Sequence, residues 1–100
     1  MARFNLYPHP TKRGYLLNVQ ADTTDHLDSR VVIPLVPLAE APKPLAALLN
    51  PSVDIEGTSY VMLTQLMGAM PAKLLKQPVA NLGYLSDEIV AAIDLLLQGY

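Results

Sequence analysis

The sequence contains no cysteine, no tryptophan and only one phenylalanine among its 100 residues. The absence of cysteine excludes disulfides and thiolate metal sites, and it fits a reducing compartment. Because large aromatic side chains are scarce, leucine, valine and isoleucine must supply most of the packing volume. A domain of this length leaves much of its surface exposed, so we expect a dimer that buries one apolar face.

Charge is also scarce, and neither sign is concentrated. Charged residues make up 16% of the chain, and the formal net charge is −2. Direct nucleic-acid binding relies on clustered lysine and arginine, so the scattered basic residues argue against it. The apolar run at 31–39 is too short to span a bilayer, and the first seven residues lack the apolar core of a signal peptide. We therefore expect a single domain at 1–100, without a membrane segment and located in the cytoplasm.

Hydrophobic alternation and turn residues predict a protein that is mostly β. Strands are predicted at 4–7, 14–22 and 29–38, and a loop with a possible short helical turn at 41–51. Two prolines place the third strand at an edge or a bulge, because proline has no N–H for the ladder. The clearest hairpin spans 52–64, with Glu56-Gly57 as its turn.

Two further segments have helical spacing of apolar residues. The segment 65–75 remains ambiguous, because Gly68 and Pro71 oppose a helix. The segment 86–98 is predicted to be a helix, with Ser86 as an N-cap whose hydroxyl accepts a backbone N–H three residues on. Its apolar face comprises Ile89, Ile93 and Leu96. Gly99 stands where a left-handed residue ends a helix, so we interpret the last residues as presented by that helix.

The densest group of chemically capable side chains lies at 22–28. Asp22, Asp25, His26 and Asp28 are candidates for a divalent metal site or for acid–base chemistry. A solvated, turn-rich loop is the simpler interpretation, because no second cluster completes a coordination shell. No serine has a nucleophile-elbow context, and the glycine of the hairpin turn is not followed by the lysine of a phosphate loop. We therefore predict a binding protein and not an enzyme, with no cofactor and no metal.

Three segments, taken in order, resemble the CcdB-type toxins. "NVQADTTDHLDSRVVIPL" at 18–35 resembles the V-Q-x-D…R-x-V-I-P-L block of that family. The V-x-I pattern at 53–55 resembles the family's central hairpin, and "DEIVAAIDLLLQGY" at 87–100 resembles its C-terminal helix. The spacing agrees over essentially all 100 residues. The chain is thus identified by resemblance as a member of this family.

The resemblance implies a mostly β, barrel-like fold shared with the MazF-type toxins. This fold has a main antiparallel sheet, a smaller three-stranded sheet and one C-terminal α-helix. It assigns the ambiguous segment 65–75 to a strand. It also implies a homodimer in which the main sheets and the C-terminal helices meet around the two-fold axis, as the small size of the core already suggests.

The function implied by the resemblance is that of the toxin in a type II toxin–antitoxin module, of the kind that maintains plasmids. Such a toxin binds the A subunit of DNA gyrase and traps the gyrase–DNA cleavage complex. An antitoxin with a disordered tail neutralises it, and the toxin meets DNA only indirectly, through the autoregulatory antitoxin complex. Two alternatives remain open: a family member with weak or no gyrase poisoning, and a MazF-like endoribonuclease.

The resemblance also assigns gyrase contacts by position. They are Thr23, Thr24, Asp94, Leu97, Gln98, Gly99 and Tyr100. The best-studied family pattern has tryptophan in place of Gln98, isoleucine in place of Tyr100 and two isoleucines in place of Thr23-Thr24. Buried aromatic side chains carry much of the binding energy of an interface. We therefore predict that the helix still exposes the last residues to a partner, but that the tail lacks the aromatic side chain that would contribute most to binding. In the alternative interpretation, Tyr100 covers the dimer seam and Gln98 is solvated surface.

Overall fold

The computed structural model describes residues 2–43 and 45–100 of the chain. The described part contains seven short strands, five 3-10 turns and one α-helix. The strands are β1 (Asn5–Pro8), β2 (Tyr15–Asn18), β3 (Ser29–Pro37), β4 (Ser52–Ile55), β5 (Thr58–Met62), β6 (Gly68–Pro71) and β7 (Ala80–Asn81), and the helix is α1 (Ser86–Gln98). The mostly β prediction is therefore confirmed. The predicted loop 41–51 includes Pro44, which lies outside the described residues.

All seven strands belong to one antiparallel sheet, in the order β4-β5-β3-β2-β1-β7, with β6 paired to β3. The sheet curls into a half-barrel, since residues from both of its end strands, β4 and β7, line a common cleft. The smaller three-stranded sheet that the resemblance implies corresponds to β4, β5 and the second half of β3. Because β3 runs through both parts, this smaller sheet is continuous with the main one.

Of the two places predicted for β3, an edge or a bulge, the edge is wrong, because β3 is the central strand. One side of it pairs with β2, and the other pairs with β6 at 29–32 and with β5 at 35–37. Pro34 lies where the second side changes from one partner to the other. Its carbonyl still accepts the N–H of Leu63, at 2.9 Å. The missing proline N–H therefore falls at a gap in the ladder, where it breaks no strand pairing.

The main core fills the inside of the curl beneath α1. Its buried members are Phe4, Leu6, Leu17, Val19, Ile33, Leu35, Val53, Met62, Leu82 and Ile89. Ile89 and Ala92 of the helix are fully buried, whereas Leu96 is 36% exposed. The predicted apolar face is therefore confirmed at Ile89 and at the partly buried Ile93, which both pack in the main core, whereas Leu96 lies at its margin.

The ambiguous segment 65–75 combines three different structures. A 3-10 turn (Thr64–Leu66) leads into β6, and a second 3-10 turn (Ala72–Leu74) follows it. The strand assignment is confirmed at Gly68–Pro71. The helical spacing of the sequence misleads here because Leu66 and Leu74, which create it, end the two turns and are exposed.

The start of α1 differs from the prediction, and its end agrees. Ser86 is the first helical residue and not an N-cap, because a 3-10 turn (Gly83–Leu85) runs directly into the helix. The capping bond is made earlier, where Asn81 Oδ1 accepts the N–H of Gly83 at 2.8 Å. At the other end Gly99 is left-handed, with φ of 81°, and its N–H donates to the Leu95 carbonyl at 3.0 Å.

His9 organises the loop between β1 and β2. Its Nδ1 accepts the backbone N–H groups of Thr11 and Lys12, both at 3.1 Å. Partial burial, and then the positive charge of Lys12, lower the pKa of His9 below its usual 6.5. His9 therefore has a structural role in this loop, and only the ring with an unprotonated Nδ1 can accept both bonds.

We expect this loop to lose stability as the solution is acidified. The pKa of His9 is lower in the folded state, so the unfolded chain takes up its proton first. The stabilisation is complete above pH 6.5, the model-peptide value, and is lost as the pH falls through the lower folded pKa. NMR titration of the ring and amide exchange at Thr11 and Lys12 measure the effect. In the His9→Asn control the side-chain oxygen accepts the same bonds without titrating, so a loop whose exchange stays pH-dependent there contradicts this account.

Candidate protein-binding surface

The residues predicted to contact gyrase lie on two separate elements. Thr23 and Thr24 lie in a 3-10 turn (Asp22–Thr24) between β2 and β3. Asp94, Leu97 and Gln98 lie in the last turns of α1, and Gly99-Tyr100 follow it. The two elements are thus far apart in sequence, and each is held by the central sheet.

Arg3 lies between these two elements, and it was not predicted to have a role. Its backbone N–H donates to Asp22 Oδ1 at 2.7 Å, and its Nε–H donates to the Val19 carbonyl at 3.0 Å. Arg3 also lines a shallow cleft with Val90 and Asp94 of α1. It therefore connects the turn that bears Thr23 with the exposed side of the helix. No sequence pattern indicates this, because its partners lie 16 and 19 residues away.

The end of α1 presents apolar side chains to solvent. Leu97 is 67% exposed and Tyr100 is 83% exposed. The left-handed Gly99 ends the helix immediately before Tyr100, so the aromatic ring leaves the helical path. The Gln98 amide lies at the limit of hydrogen bonding from Asp94, at 3.5 Å, and forms an i, i+4 polar pair on the surface. This tail is suited to contacts with an apolar surface of another protein.

A second apolar surface lies along α1. Ala47, Leu48 and Pro51 from the preceding loop form a groove of about 330 Å³ with Ala91, Leu95 and Tyr100. Leu48 is 79% exposed, so the groove is open to solvent. Exposed apolar patches of this kind often mark the sites at which a protein binds another protein. No sequence pattern indicates this groove, because the loop residues have no periodicity that assigns them to one face.

The loop at 21–29 is fixed by polar contacts and not by apolar packing. The Thr24 hydroxyl and N–H both donate to the Ala21 carbonyl, at 2.9 and 3.0 Å. Gln20 Nε2–H donates to the Thr24 carbonyl at 2.9 Å. Thr24 is therefore engaged in the loop itself, whereas Thr23 is exposed and makes the more accessible contact.

The four candidate metal ligands are divided between two places. Asp22 accepts the Arg3 N–H, while Asp25, His26 and Asp28 line a cleft of about 600 Å³ with Lys73. Within residues 2–43 and 45–100, no group of three or more histidine, aspartate or glutamate side chains is arranged to hold a metal ion. The metal hypothesis therefore has no ligand set in this part of the chain.

An open cleft of about 620 Å³ lies between the two edges of the curled sheet. Tyr15 and Tyr60 meet there edge to face, with ring centroids 5.1 Å apart. Burial, and then the neighbouring Tyr60, raise the pKa of Tyr15 above 10.0. Arg13 also lines the cleft, but its guanidinium is paired with Glu40. Among the described residues that line the cleft, Arg13 is the only cationic side chain, so they form no converging set of free cations of the kind that an endoribonuclease needs around a scissile phosphate.

These features define a protein-binding domain: a half-barrel that carries one helix, with apolar side chains exposed along that helix and at its end. The family model described as CcdB protein matches residues 3–99, and the chain belongs to the CcdB family. The curled antiparallel sheet with its C-terminal helix agrees with this assignment. The chain is accordingly a toxin of a toxin–antitoxin system. In the part of the chain that the structure describes, no helix combines the length and the hydrophobicity needed to cross a membrane.

Proposed function

We propose that this toxin binds the A subunit of DNA gyrase and traps gyrase on cleaved DNA. The observation that supports the proposal most strongly is the exposed apolar end of α1, formed by Leu97 and Tyr100 beyond a buried and well-anchored stretch of helix. These residues stand at positions that the family resemblance assigns to the gyrase contact. A rigid helix that presents apolar side chains needs little ordering when it binds, which favours affinity.

The proposed mechanism involves binding and no covalent chemistry, so the protein is not an enzyme. Gyrase passes through a state in which its DNA is cleaved, and a ligand that binds this state more tightly than the others increases its population. To hold most of the enzyme in a state that is normally minor requires a difference in affinity of about 10⁴-fold. The contact surface must therefore distinguish the cleaved conformation of gyrase, and Thr23 and the tail of α1 are the contacts we assign.

We further propose that the toxin acts in the cytoplasm as a homodimer and is neutralised by an antitoxin with a disordered tail. The groove beside α1 and the exposed Leu66 supply apolar surface that such partners cover. A mildly acidic chain with a net charge of −2 is poorly suited to direct DNA binding, so contact with its operator falls to the antitoxin. A role in plasmid maintenance and in repression of its own operon follows from this arrangement.

The proposal is tested by adding the purified protein to gyrase and supercoiled plasmid. After denaturation, the expected product is linear DNA, because trapped complexes release cleaved DNA. Topoisomerase I is the control enzyme and should remain unaffected. If neither cleavage nor inhibition appears at micromolar protein while a cognate antitoxin still binds, the gyrase assignment is wrong. A parallel digestion of RNA without gyrase tests the endoribonuclease alternative, for which cleavage at a short consensus is the supporting result.

A further inference from the structure

We propose that Arg30 is a positioning residue, which holds the loop at 21–29 in the shape that presents Thr23 and Thr24 to the target. The inference rests on the proposed gyrase contact of this loop. It concerns a residue that none of the predicted contacts includes. Arg30 is the second residue of β3 and is only 5% exposed, so it does not itself touch a partner.

The Arg30 guanidinium gathers three carbonyl groups of the same loop. Nη1 donates to the carbonyls of Leu27 and Ser29, the latter at 2.8 Å, and Nη2 donates to the carbonyl of Asp25. The three acceptors lie within five residues of chain, and a single rigid fork binds them all. The loop is therefore wrapped around the arginine head group.

The chemistry of these contacts explains why an arginine occupies the site. A buried cation needs hydrogen bonds to replace its lost hydration, and the three carbonyl oxygens supply them to Nη1 and Nη2, while the buried Nε–H has no partner among the described residues. The planar guanidinium has five N–H donors that point in fixed directions, so its geometry dictates where the carbonyls must lie. Lysine has one ammonium with no such fork, and it cannot impose the same arrangement. Removal of the guanidinium leaves the loop carbonyls without these donors.

The first half of the loop is held from the neighbouring position on the sheet. Gln20 Nε2–H donates to the Thr24 carbonyl, while its Oε1 accepts the N–H of Val31 at 3.0 Å. The Asp28 carbonyl accepts the N–H of Ala72 at 2.8 Å. Gln20 and Arg30 thus fix the loop from either side of Thr24 and Asp25, and both are anchored at the start of the central strand.

This arrangement matters for binding because Thr23 and Thr24, the assigned contacts of the loop, offer little apolar surface of their own. Where the family pattern has two isoleucines, this chain has Thr23-Thr24. Their hydroxyl groups contact a partner through hydrogen bonds, which require a defined orientation. Polar contacts lose most of their value when the loop must first be ordered, since ordering costs conformational entropy. A loop already held by Arg30 avoids that cost.

The decisive experiment is a double-mutant cycle on the affinity for the isolated A subunit of gyrase. Arg30→Met and the pair Thr23→Ala/Thr24→Ser are each expected to weaken binding roughly tenfold, the scale of a significant interface residue. Serine at position 24 keeps the hydroxyl that bonds to the Ala21 carbonyl, so this pair leaves the loop's own hydrogen bonds in place. If Arg30 acts through the loop, the combined variant is expected to be no weaker than either alone. Leu97→Ala is the matched control, and its effect should add fully to that of Arg30→Met, because Leu97 lies on a different element.

A purely structural role predicts a different pattern. In that case the effect of Arg30→Met adds fully both to that of the threonine substitutions and to that of Leu97→Ala, or Arg30→Met leaves the affinity of the folded protein unchanged. Either result overturns the proposal. Arg30→Lys guards against a variant that fails to fold, because it keeps the charge and the alkyl stem. It is expected to show the same non-additivity with Thr23-Thr24, but with a smaller loss of affinity.

Amide hydrogen exchange separates this proposal from the gyrase assignment. The N–H groups of Thr24, Asp25 and Leu27 are bonded within the loop, so they report its order directly. In the Arg30 variants these three amides are expected to exchange faster, while amides of β2 and β5 keep their rates. Uniform acceleration throughout the chain would falsify the positioning role. If the wild-type protein does not bind gyrase, the proposed function fails, and the exchange data still decide whether Arg30 holds the loop.

Discussion

Replacement of Ile89 by alanine is expected to lower the free energy of unfolding by about 2–5 kcal/mol. Ile89 has no exposed surface and lies in the main core cluster, together with residues of the sheet such as Leu17 and Ile33. The variant removes three carbon atoms from a site that the surrounding strands cannot collapse to fill. The loss combines the transfer free energy of the removed atoms with a term for the cavity that remains.

Urea unfolding followed by circular dichroism measures this effect, with the protein concentration held constant because a dimer couples stability to association. Leu97→Ala is the matched control on the same helix. Leu97 is 67% exposed, so its truncation is expected to change the unfolding free energy by no more than about 0.5 kcal/mol. Equal losses in the two variants would show that α1 does not pack on the sheet through the Ile89 face.

The same substitution connects stability to function. Ile89, together with the partly buried Val90 and Ile93, packs α1 on the main core, and the exposed tail extends from that anchored helix. In Ile89→Ala, gyrase binding is therefore expected to weaken even at temperatures where the protein is fully folded, because the helix end is less constrained. Binding that stays unchanged in the folded variant would mean that the tail acts independently of the anchoring of α1.

Local signals in the sequence predicted those parts of the fold that depend on local conformation. The Glu56-Gly57 turn is correct in detail, since both residues have positive φ, 51° and 82°, as a tight hairpin of this type requires. The left-handed Gly99 is correct for the same reason. Each depends on a backbone conformation that few residue types adopt, so the residue itself reveals the structure.

The errors concern features that depend on distant partners. Whether Pro34 disrupts a ladder depends on where β5 and β6 leave a gap beside β3, and no local pattern contains that information. Ser86 has the composition of an N-cap, but the preceding 3-10 turn and the Asn81 side chain already provide the entry to the helix. In each case tertiary pairing decided between alternatives that local chemistry left equally acceptable.

The candidate site shows the same division. The contact positions came from resemblance to the family, because exposed residues such as Thr23 and Leu97 carry no pattern that distinguishes them from other surface. The residues that support those positions were missed. Arg3 and Arg30 are two of seven basic residues, and nothing in the sequence indicates that Arg30 is buried. Only the hydrogen bonds to loop carbonyls reveal its role.

Replacement of Gln98 by tryptophan is expected to strengthen gyrase binding about 30-fold, which corresponds to about 2 kcal/mol, the contribution of one buried aromatic anchor. Gln98 is the last residue of α1 and is exposed, so the change should alter the stability of the toxin by less than about 0.5 kcal/mol. The backbone that presents the side chain is already in place. The substitution therefore adds a contact surface to an unchanged scaffold.

Isothermal titration with the A subunit measures the gain, and the cleavage assay reports whether it increases trapping of the cleaved state. Gln98→Leu is the matched control, because it adds apolar area without an aromatic ring and should give a smaller gain. If tryptophan leaves the affinity unchanged, position 98 does not face the target, and Tyr100 must serve as the anchor from its place beyond Gly99. In that case Tyr100→Ala in the wild-type chain is expected to abolish binding. If instead the tryptophan at position 98 does contact the target, Tyr100→Ala in the Gln98→Trp variant is expected to have only a small effect.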